Sequence, residues 1–429
     1  MDQKHPNLPL IRLIGDSIDN FYQLGLKDKE NHSNILSHLN SLIKTPFSKV
    51  DLTIRHLAKA TLKQGFTHLP EFQKKMKAYS EGLGIAKEEL TLSLLVPEIV
   101  SFLSTWVPGI PTSLLGCSSY FAWDDKTDSP IHGRVLDFPL QGSFDKNERV
   151  IWSKLDNGPA TLSYSSVGFP YPSITAMTEY GVSFALHQKF DDLFNPNGTP
   201  IFELIFNMLQ KCGDLKSTLE YLKKNESLTT WAFYMGFSNG EVLACDVMGK
   251  DLCYKTYHAK AGQVLYFNNM LIDQARYSKQ KDFMPYGVQQ YNQMRLDVAE
   301  KKVTKLEKQK DMTSLKLIKE MGTPIIQKSK RPELWKCDTV TMSSVTICTM
   351  NPNNGESLFI PGAAPKFYQK DLLKITNAFI DPIQTVVSST KSKMKKSKIN
   401  GYRDLMEAQV SFDRGQYHDA YHFLQMAID

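Results

Sequence analysis

The chain has 429 residues, of which 41% are hydrophobic and 22% are charged, a composition typical of a globular protein with a sizeable core. Its net charge is +6, but five lysines between 391 and 398 supply most of this charge, so we expect no nucleic-acid partner. The six cysteines include no CxxC pair and no zinc-site spacing, so we expect no metal site.

The N-terminal residues Met1–His5 lack the apolar core of a secretory signal peptide. The longest apolar stretch, 90–115, is interrupted by Glu98 and by three prolines, which argues against a membrane-spanning helix. We therefore expect a cytoplasmic protein, in a reducing compartment that preserves free thiols. Peripheral contact with a membrane is an alternative for this stretch and for the lysine run. No motif indicates an oligomeric state.

Apolar spacing over residues 16–100 predicts helices that pack on another element, with Asp16 and Asp51 as N-caps. After Cys117 short apolar runs alternate with turns, which predicts strands. The expected strands are 118–123, 131–138, 150–154, 161–166, 173–178, 182–187, 231–237, 241–247, 252–257, 263–268, 339–350 and 357–360. A helical segment is expected over 199–224, and helices with a loop over 276–330. Strands followed by helices and further strands indicate an α+β fold built in layers.

The same patterns divide the chain into four parts. Residues 1–116 form a helical segment, 117–387 the main domain, 388–400 a Lys/Ser-rich linker, and 401–429 a helical hairpin. The hairpin has the spacing of one tetratricopeptide repeat. Because a single repeat cannot stack on itself, we expect the hairpin to pack on the main domain.

Cys117 directly follows Gly116, an order of residues typical of an enzyme that cuts its own chain. A cut between the two residues would free an α-amine beside the thiol. A thiol and an α-amine have ordinary pKa values of about 8.5 and about 7.7–8.0, so the amine can accept the thiol proton without a histidine. Gly116 has no side chain to obstruct attack on its own carbonyl group. Residues 1–116 are then a pro-segment.

Two charged residues follow the thiol within one predicted hairpin, Arg134 and Asp137. We expect Asp137 to orient the α-ammonium or the thiol, and Arg134 to fix Asp137 or the thiolate. Residues three apart in a strand face opposite sides, so a bulge or a strand end must bring the two together. Asn269, at the end of the apolar run 264–267, is the best-placed amide for an oxyanion hole.

These motifs resemble the N-terminal nucleophile hydrolases. The likeness is greatest to the acyl-coenzyme A:6-aminopenicillanic acid acyltransferase family, with acid ceramidase and choloylglycine hydrolase as relatives. It covers most of residues 8–368, and the tail beyond about 385 lies outside it. The segments that carry it are 11–15, 21–25, 81–86, 116–119, 132–138, 178–183, 265–269 and 357–365.

The resemblance implies an αββα sandwich with two facing sheets and self-cleavage before Cys117. It implies Cys117 as nucleophile, Arg134 and Asp137 as its partners, and Asn269 as oxyanion donor. Asn268 stands where the family has threonine, which leaves Asn268 as an alternative donor. The implied reaction is hydrolysis or acyl transfer of a small acylated amide or thioester through a thioester acyl-enzyme, without a cofactor.

Two other interpretations are open at this level. His187 is the candidate for a conventional Cys/His pair, and it joins Glu179 and Asn268 as a candidate pocket residue. Alternatively, the fold is kept as a non-cleaving binding protein that docks through its C-terminal hairpin. Loss of activity in His187→Ala, in a chain that is not cleaved, would favour the Cys/His pair. An uncut chain whose Cys117 thiol does not react with an acylating probe would favour the binding protein.

Overall fold

The structure is a computed structural model of the full chain. It describes residues 8–43, 49, 53, 66–103, 115–140, 142–273, 286–324, 338–364, 366–368, 371–388 and 396–428. The predicted N-cap Asp51 and the linker residues 389–395 lie outside these ranges.

Fifteen strands and ten helices are formed by the described residues. The strands are β1 Leu10–Gly15, β2 Gly116–Asp124, β3 Ser129–Asp137, β4 Glu148–Leu155, β5 Ala160–Ser166, β6 Thr175–Thr178, β7 Val182–Gln188, β8 Thr230–Phe237, β9 Glu241–Met248, β10 Asp251–His258, β11 Leu265–Phe267, β12 Ser344–Asn351, β13 Glu356–Phe359, β14 Asp371–Thr376 and β15 Ile383–Ser388. The helices are α1 Ser17–Asp28, α2 His32–Leu42, α3 Pro70–Leu83, α4 Lys87–Leu103, α5 Ile201–Lys211, α6 Leu215–Lys224, α7 Tyr286–Glu307, α8 Ser314–Met321, α9 Lys396–Asp413 and α10 Tyr417–Ile428.

The strands form two sheets. The first has eight strands in the order β1-β4-β5-β6-β7-β8-β9-β10, and the second has seven in the order β11-β2-β3-β12-β13-β14-β15. Every neighbouring pair is antiparallel except β1 and β4, which run parallel. Strand β2, which begins at Gly116, lies between β11 and β3 inside the second sheet.

The sheets pack face to face, with Phe121 of the second sheet buried against Tyr234 and Ala244 of the first. Helices α1 to α5 cover the outer face of the first sheet in one continuous core. Helices α7, α8 and α9 cover the outer face of the second sheet. The αββα architecture predicted from the resemblance is therefore confirmed. Side chains alternate along each strand, and in the central strands of both sheets the residues on both faces are buried, as a layer between two others requires.

The predicted strands after Cys117 all correspond to strands of the structure, and Asp16 caps α1 as expected, accepting hydrogen bonds from two backbone N–H groups. The predicted helix 199–224 is divided in two, because Asp214 forms a capping box that starts α6. Strands β1, β14 and β15 were not predicted. The last of them extends to Ser388, and α9 already begins at Lys396, within the segment assigned to the linker.

The N-terminal segment is an integral part of the sandwich. Strand β1 supplies one edge of the first sheet, and buried ion pairs join the helices that follow to the rest of the fold. Lys75 of α3 binds Glu203 of α5 at 2.6 Å. Asp28 of α1 binds Arg149 of β4 and accepts a hydrogen bond from Tyr79 at 2.5 Å. Removing one partner of such a pair leaves a buried charge uncompensated and costs roughly 3–5 kcal/mol, so loss of either partner would destabilise the packing of this segment on the fold.

Glu98 of α4 is a further buried contact across this boundary. Its carboxylate accepts hydrogen bonds from the Ile201 N–H and the Thr229 hydroxyl, both at 2.8 Å. Burial raises the pKa of Glu98 to about 7 from its ordinary 4.5. The folded protein then holds a proton that the unfolded chain has lost between about pH 4.5 and pH 7, so the stability contributed by Glu98 is present below pH 4.5 and lost as the pH rises through 7.

We therefore expect the melting temperature to fall from pH 5 to pH 8, and to fall less in Glu98→Gln. The difference between the folded and ordinary pKa values of Glu98 corresponds to about 3 kcal/mol of lost folding stability at pH 8. Thermal unfolding of both proteins at the two pH values measures the effect. Equal falls in the two proteins would show that Glu98 does not titrate in this window.

The C-terminal hairpin packs on the main domain through α9. Met406 and Val410 are buried in the core that covers the second sheet, and Arg414 donates to the Ser41 hydroxyl of α2 at 3.1 Å. This packing is what the single-repeat argument requires. Within the described ranges, no helix combines the length and hydrophobicity needed to cross a membrane.

Candidate active site

Cys117 lies at the start of β2, on the face of the second sheet that meets the first. Side chains alternate along the strand, so Cys117, Ser119 and Phe121 point between the sheets, while Tyr120 packs toward the outer helices. Cys117 is 3% exposed, and its thiol points at the carbonyl oxygen of Leu186 on β7 at 3.8 Å. The strand thus delivers the thiol to the gap between the two sheets.

Arg134 on β3 lies beside the thiol. Its Nη2 donates to Cys117 Sγ at 3.1 Å and to the Leu186 carbonyl oxygen at 2.5 Å. The side chain is fully buried, and it forms no ion pair with a carboxylate of the described residues. Its positive charge is therefore available to a negative charge that develops on sulfur or on an attacked carbonyl oxygen.

Asn269 also reaches Cys117, but through its oxygen. Asn269 Oδ1 accepts from the Cys117 backbone N–H at 2.7 Å, and Nδ2 donates to the Gln188 carbonyl oxygen at 2.8 Å. The side chain therefore holds the nitrogen that self-cleavage would turn into an amine. Asn268 instead donates to the Asn292 carbonyl oxygen and accepts from the Met270 N–H, so it shapes its own loop.

Buried polar groups fix this loop in place. Lys189, directly after β7, donates to the Met270 carbonyl oxygen and lies 3.5 Å from Asp246 of β9. Asp246 accepts from the Ile272 N–H at 2.7 Å, and Tyr234 donates to the Asn268 carbonyl oxygen at 2.9 Å. These bonds tie the loop that carries Asn269 to the first sheet and so help to fix the position of the Asn269 amide.

Asp137 is not placed beside the thiol. It follows Leu136, which faces Cys117, and therefore points to the opposite face of the second sheet. There it accepts from the Ser344 hydroxyl and lies 3.4 Å from Arg295 of α7. No hydrogen bond joins Asp137 to Cys117 or Arg134 in the described part of the chain. The pKa of Asp137 is raised by burial, an effect that Arg295 and Ser344 oppose.

Arg295 is a site residue that the sequence did not reveal. It is 2% exposed, binds Asp137, donates to Asn269 Oδ1 at 3.1 Å, and also donates to Asn292. Its guanidinium lies directly against Gly116, where an added Cβ would come within 1.9 Å of Arg295 Nη1. Arg295 stands in a polar, lysine-rich helix without a motif, so only the packing of α7 identifies it.

Histidines 187 and 132 form a polar cluster between the sheets rather than a base for the thiol. His187 Nε2 and His132 Nε2 lie 2.9 and 3.2 Å from Ser119 Oγ, and His187 makes no hydrogen bond with Cys117. Burial lowers the pKa of both rings well below 6.5, and nearby Arg134 adds to the effect. Both rings are therefore neutral near pH 7, and the Cys/His alternative lacks the contact that it needs.

Glu179, the other candidate pocket residue, lies at an exposed turn. It pairs with Lys154 at 2.6 Å and accepts from the Ala160 N–H at 3.0 Å. Neither partner is near Cys117 in the fold, since both belong to the β4–β5 end of the first sheet. Glu179 therefore stabilises a turn and does not line the site.

An apolar cavity of about 50 Å³ opens onto the sulfur. Its walls are carbon-rich and include Phe138, Phe169, Phe202 and Trp231, while Pro97 of α4 closes it from the N-terminal segment. Since a water occupies roughly 10–15 Å³ by this measure, the cavity has room for about four small groups. Within the described ranges, no cluster of three or more His, Cys, Asp or Glu side chains has the geometry of a metal site.

The sequence matches no protein-family model and no curated protein. Three similar solved structures are an N-acylethanolamine-hydrolyzing acid amidase ortholog from Caenorhabditis elegans, penicillin V acylase from Agrobacterium tumefaciens, and a variant of conjugated bile acid hydrolase from Clostridium perfringens. Their identities to this chain are 13%, 10% and 11%, and their TM-scores are 0.38, 0.39 and 0.41. The alignments cover 55%, 61% and 65% of this chain and 93%, 86% and 99% of the other chains.

The names of these three proteins describe an amidase, an acylase and a hydrolase. Likeness at these identities and TM-scores carries no inference about a reaction or a substrate. The reaction and the substrate class are therefore inferred from the geometry around Cys117.

Proposed function

We propose that the protein is a self-cleaving cysteine amidase or acyltransferase that uses Cys117 as its N-terminal nucleophile. The observation that carries the proposal is a pair of contacts at the mouth of an apolar cavity. Asn269 holds the Cys117 nitrogen, and Arg134 lies 3.1 Å from the Cys117 sulfur. Cys117 thus carries both a thiol, which Arg134 contacts, and the nitrogen that cleavage turns into an amine, which Asn269 contacts. Both groups can act on one bound substrate.

Self-cleavage begins with attack of Cys117 Sγ on the Gly116 carbonyl carbon. A thioester forms, the Gly116–Cys117 C–N bond breaks, and the nitrogen leaves as an amine that takes up the thiol proton. Water then hydrolyses the thioester and restores the thiol. Arg295 lies against Gly116 and can stabilise the oxyanion that develops on this carbonyl group, and any larger residue at 116 would displace it.

Catalysis on a substrate repeats these steps with an external amide. The freed amine, held by Asn269 Oδ1, accepts the thiol proton, and the thiolate attacks the substrate carbonyl carbon. Arg134 stabilises the negative charge, and the protonated amine then protonates the leaving nitrogen. The acyl group stays on sulfur as a thioester until water or a second amine removes it. The aromatic and aliphatic walls of the cavity favour an apolar acyl group.

The experiment is hydrolysis of 7-amino-4-methylcoumarin amides that carry straight acyl chains of two to sixteen carbons. We expect release of the fluorophore, with a higher kcat/KM for short acyl chains than for the longest ones, because the cavity is small and its walls are apolar. Rapid acid quenching should trap the acyl group on the peptide that begins at Cys117. Failure to cleave any amide, with no acyl group on Cys117, would overturn the proposal.

A further inference from the structure

The cavity contains one polar group that the reaction described above does not use. Gln188, the last residue of β7, lines the cavity beside Cys117 and is 4% exposed. The indole N–H of Trp231, another lining residue, already donates to Thr229 Oγ1 at 2.9 Å. Gln188 Oε1, by contrast, accepts no hydrogen bond from any described residue. A buried acceptor left unpaired costs roughly 1–3 kcal/mol, and a bound molecule that donated a hydrogen bond to Gln188 Oε1 would remove this cost.

The orientation of the Gln188 amide follows from its neighbours. Its Nε2 lies 3.0 Å from the Pro97 carbonyl oxygen of α4 and 3.0 Å from Ser101 Oγ. A carbonyl oxygen can only accept, so the NH₂ end must face Pro97 and the carbonyl end must face away from α4. The unpaired oxygen is therefore the free end of an amide whose other end is fixed.

Gln188 is also tied to the reacting nitrogen through its backbone. Its carbonyl oxygen accepts from Asn269 Nδ2 at 2.8 Å, and Asn269 Oδ1 accepts from the Cys117 N–H. The Gln188 backbone is thus one residue away from the group that delivers the proton to the leaving nitrogen. The Gln188 side chain and Cys117 line the same cavity, so an amide bound at the thiol lies in the part of the site that this side chain borders.

We propose that Gln188 Oε1 accepts the N–H of the scissile amide and makes the enzyme selective for secondary amides over esters of the same acyl group. This inference rests on the function proposed above. A secondary amide brings one N–H donor to the site, whereas the bridging oxygen of an ester brings only lone pairs, which Oε1 repels. Holding the N–H also turns the nitrogen lone pair toward the ammonium of Cys117 as the C–N bond breaks.

The test compares the hexanoyl amide of 7-amino-4-methylcoumarin with the hexanoyl ester of 7-hydroxy-4-methylcoumarin. In Gln188→Met, a side chain of similar size without an acceptor, we expect kcat/KM for the amide to fall roughly ten- to a hundredfold. We expect kcat/KM for the ester to stay within about threefold of wild type, which also shows that the variant is folded.

Two further variants separate recognition from architecture. Ser101→Ala removes a contact of Nε2 and leaves Oε1 in place, so the ratio of amide to ester rates should not change. Gln188→Glu, measured at pH 5.5 where a buried carboxyl group is protonated, again offers a donor to Pro97 and an acceptor to the substrate. We expect it to recover most of the preference for the amide.

Equal losses for amide and ester in Gln188→Met, or no loss for the amide, would overturn the role of Gln188 alone. If wild-type protein turned over neither probe and Cys117 carried no acyl group, the proposed function would fail and this inference with it. The two failures are therefore distinguished by the wild-type rates.

Discussion

We expect purified Cys117→Ala to be a single chain of 48.8 kDa, and wild-type protein to separate into fragments 1–116 and 117–429 under denaturing conditions. Both the nucleophile of self-cleavage and the nucleophile of catalysis are lost in this variant. Amide hydrolysis should therefore fall by at least roughly 10⁴-fold, as when a nucleophile is removed from other enzymes of covalent mechanism. Intact mass spectrometry and the coumarin assay measure the two effects.

Cys212→Ala is the matched control for this experiment. Cys212 is also a buried thiol, but burial raises its pKa to about 11 and it lies at the end of α5, away from the cavity. We expect this variant to be cleaved and active like wild type. Wild-type protein that hydrolysed amides efficiently as an uncut chain would contradict the N-terminal nucleophile mechanism.

Arg295→Gln should have the second largest effect, because Arg295 joins three parts of the site. It binds Asp137, donates to Asn269 and lies against Gly116. Without its charge, Asp137 is left buried and uncompensated, which should cost roughly 3–5 kcal/mol of stability. Self-cleavage should slow by roughly 10²–10³-fold, since a charge that stabilises the oxyanion on Gly116 is lost. Amide hydrolysis should fall in proportion to the fraction of chains that stay uncut.

The double variant Asp137→Asn/Arg295→Gln separates these two effects. Removing the orphaned carboxylate should restore most of the lost stability, because a neutral amide pair takes the place of a single buried charge. The rate of self-cleavage should remain low. Arg149→Gln breaks another buried arginine pair, with Asp28, and should lower the melting temperature without slowing the chemistry of the folded protein. Near-wild-type cleavage by the double variant would contradict the role of Arg295.

Local patterns predicted most of the fold. The strands after Cys117 were predicted from short apolar runs between turns, because a strand buried on both faces is a short, nearly continuous apolar run bounded by turn residues. Strand β1 was missed because it is a parallel edge strand whose pairing partner, β4, lies more than a hundred residues along the chain. Strands β14 and β15 complete the far edge of the second sheet and were not predicted, although the dipeptide Asp381-Pro382 between them is a turn signal.

The sequence predictions for the site were uneven for a related reason. Cys117 and Arg134 lie on the two paired strands of one hairpin, so their short separation in sequence was enough to predict that they lie close together. Asn269 was predicted from its position at a strand end, although its observed bond to Cys117 uses its oxygen. Asp137 was assigned to the thiol, but the alternation of a strand turns it to the other face. The roles proposed for these residues await the variants described above.

The sequence by itself determined the alternation of strands and turns, the Gly116–Cys117 junction and the spacing from the thiol to Arg134, because each is encoded within one strand or hairpin. Only the tertiary structure decided that Arg295 compensates Asp137, that Gln188 bears the free acceptor of the cavity, and that Pro97 closes it. These contacts join residues about 90 to 160 positions apart. No local pattern specifies such pairs, since they form only when the layers pack.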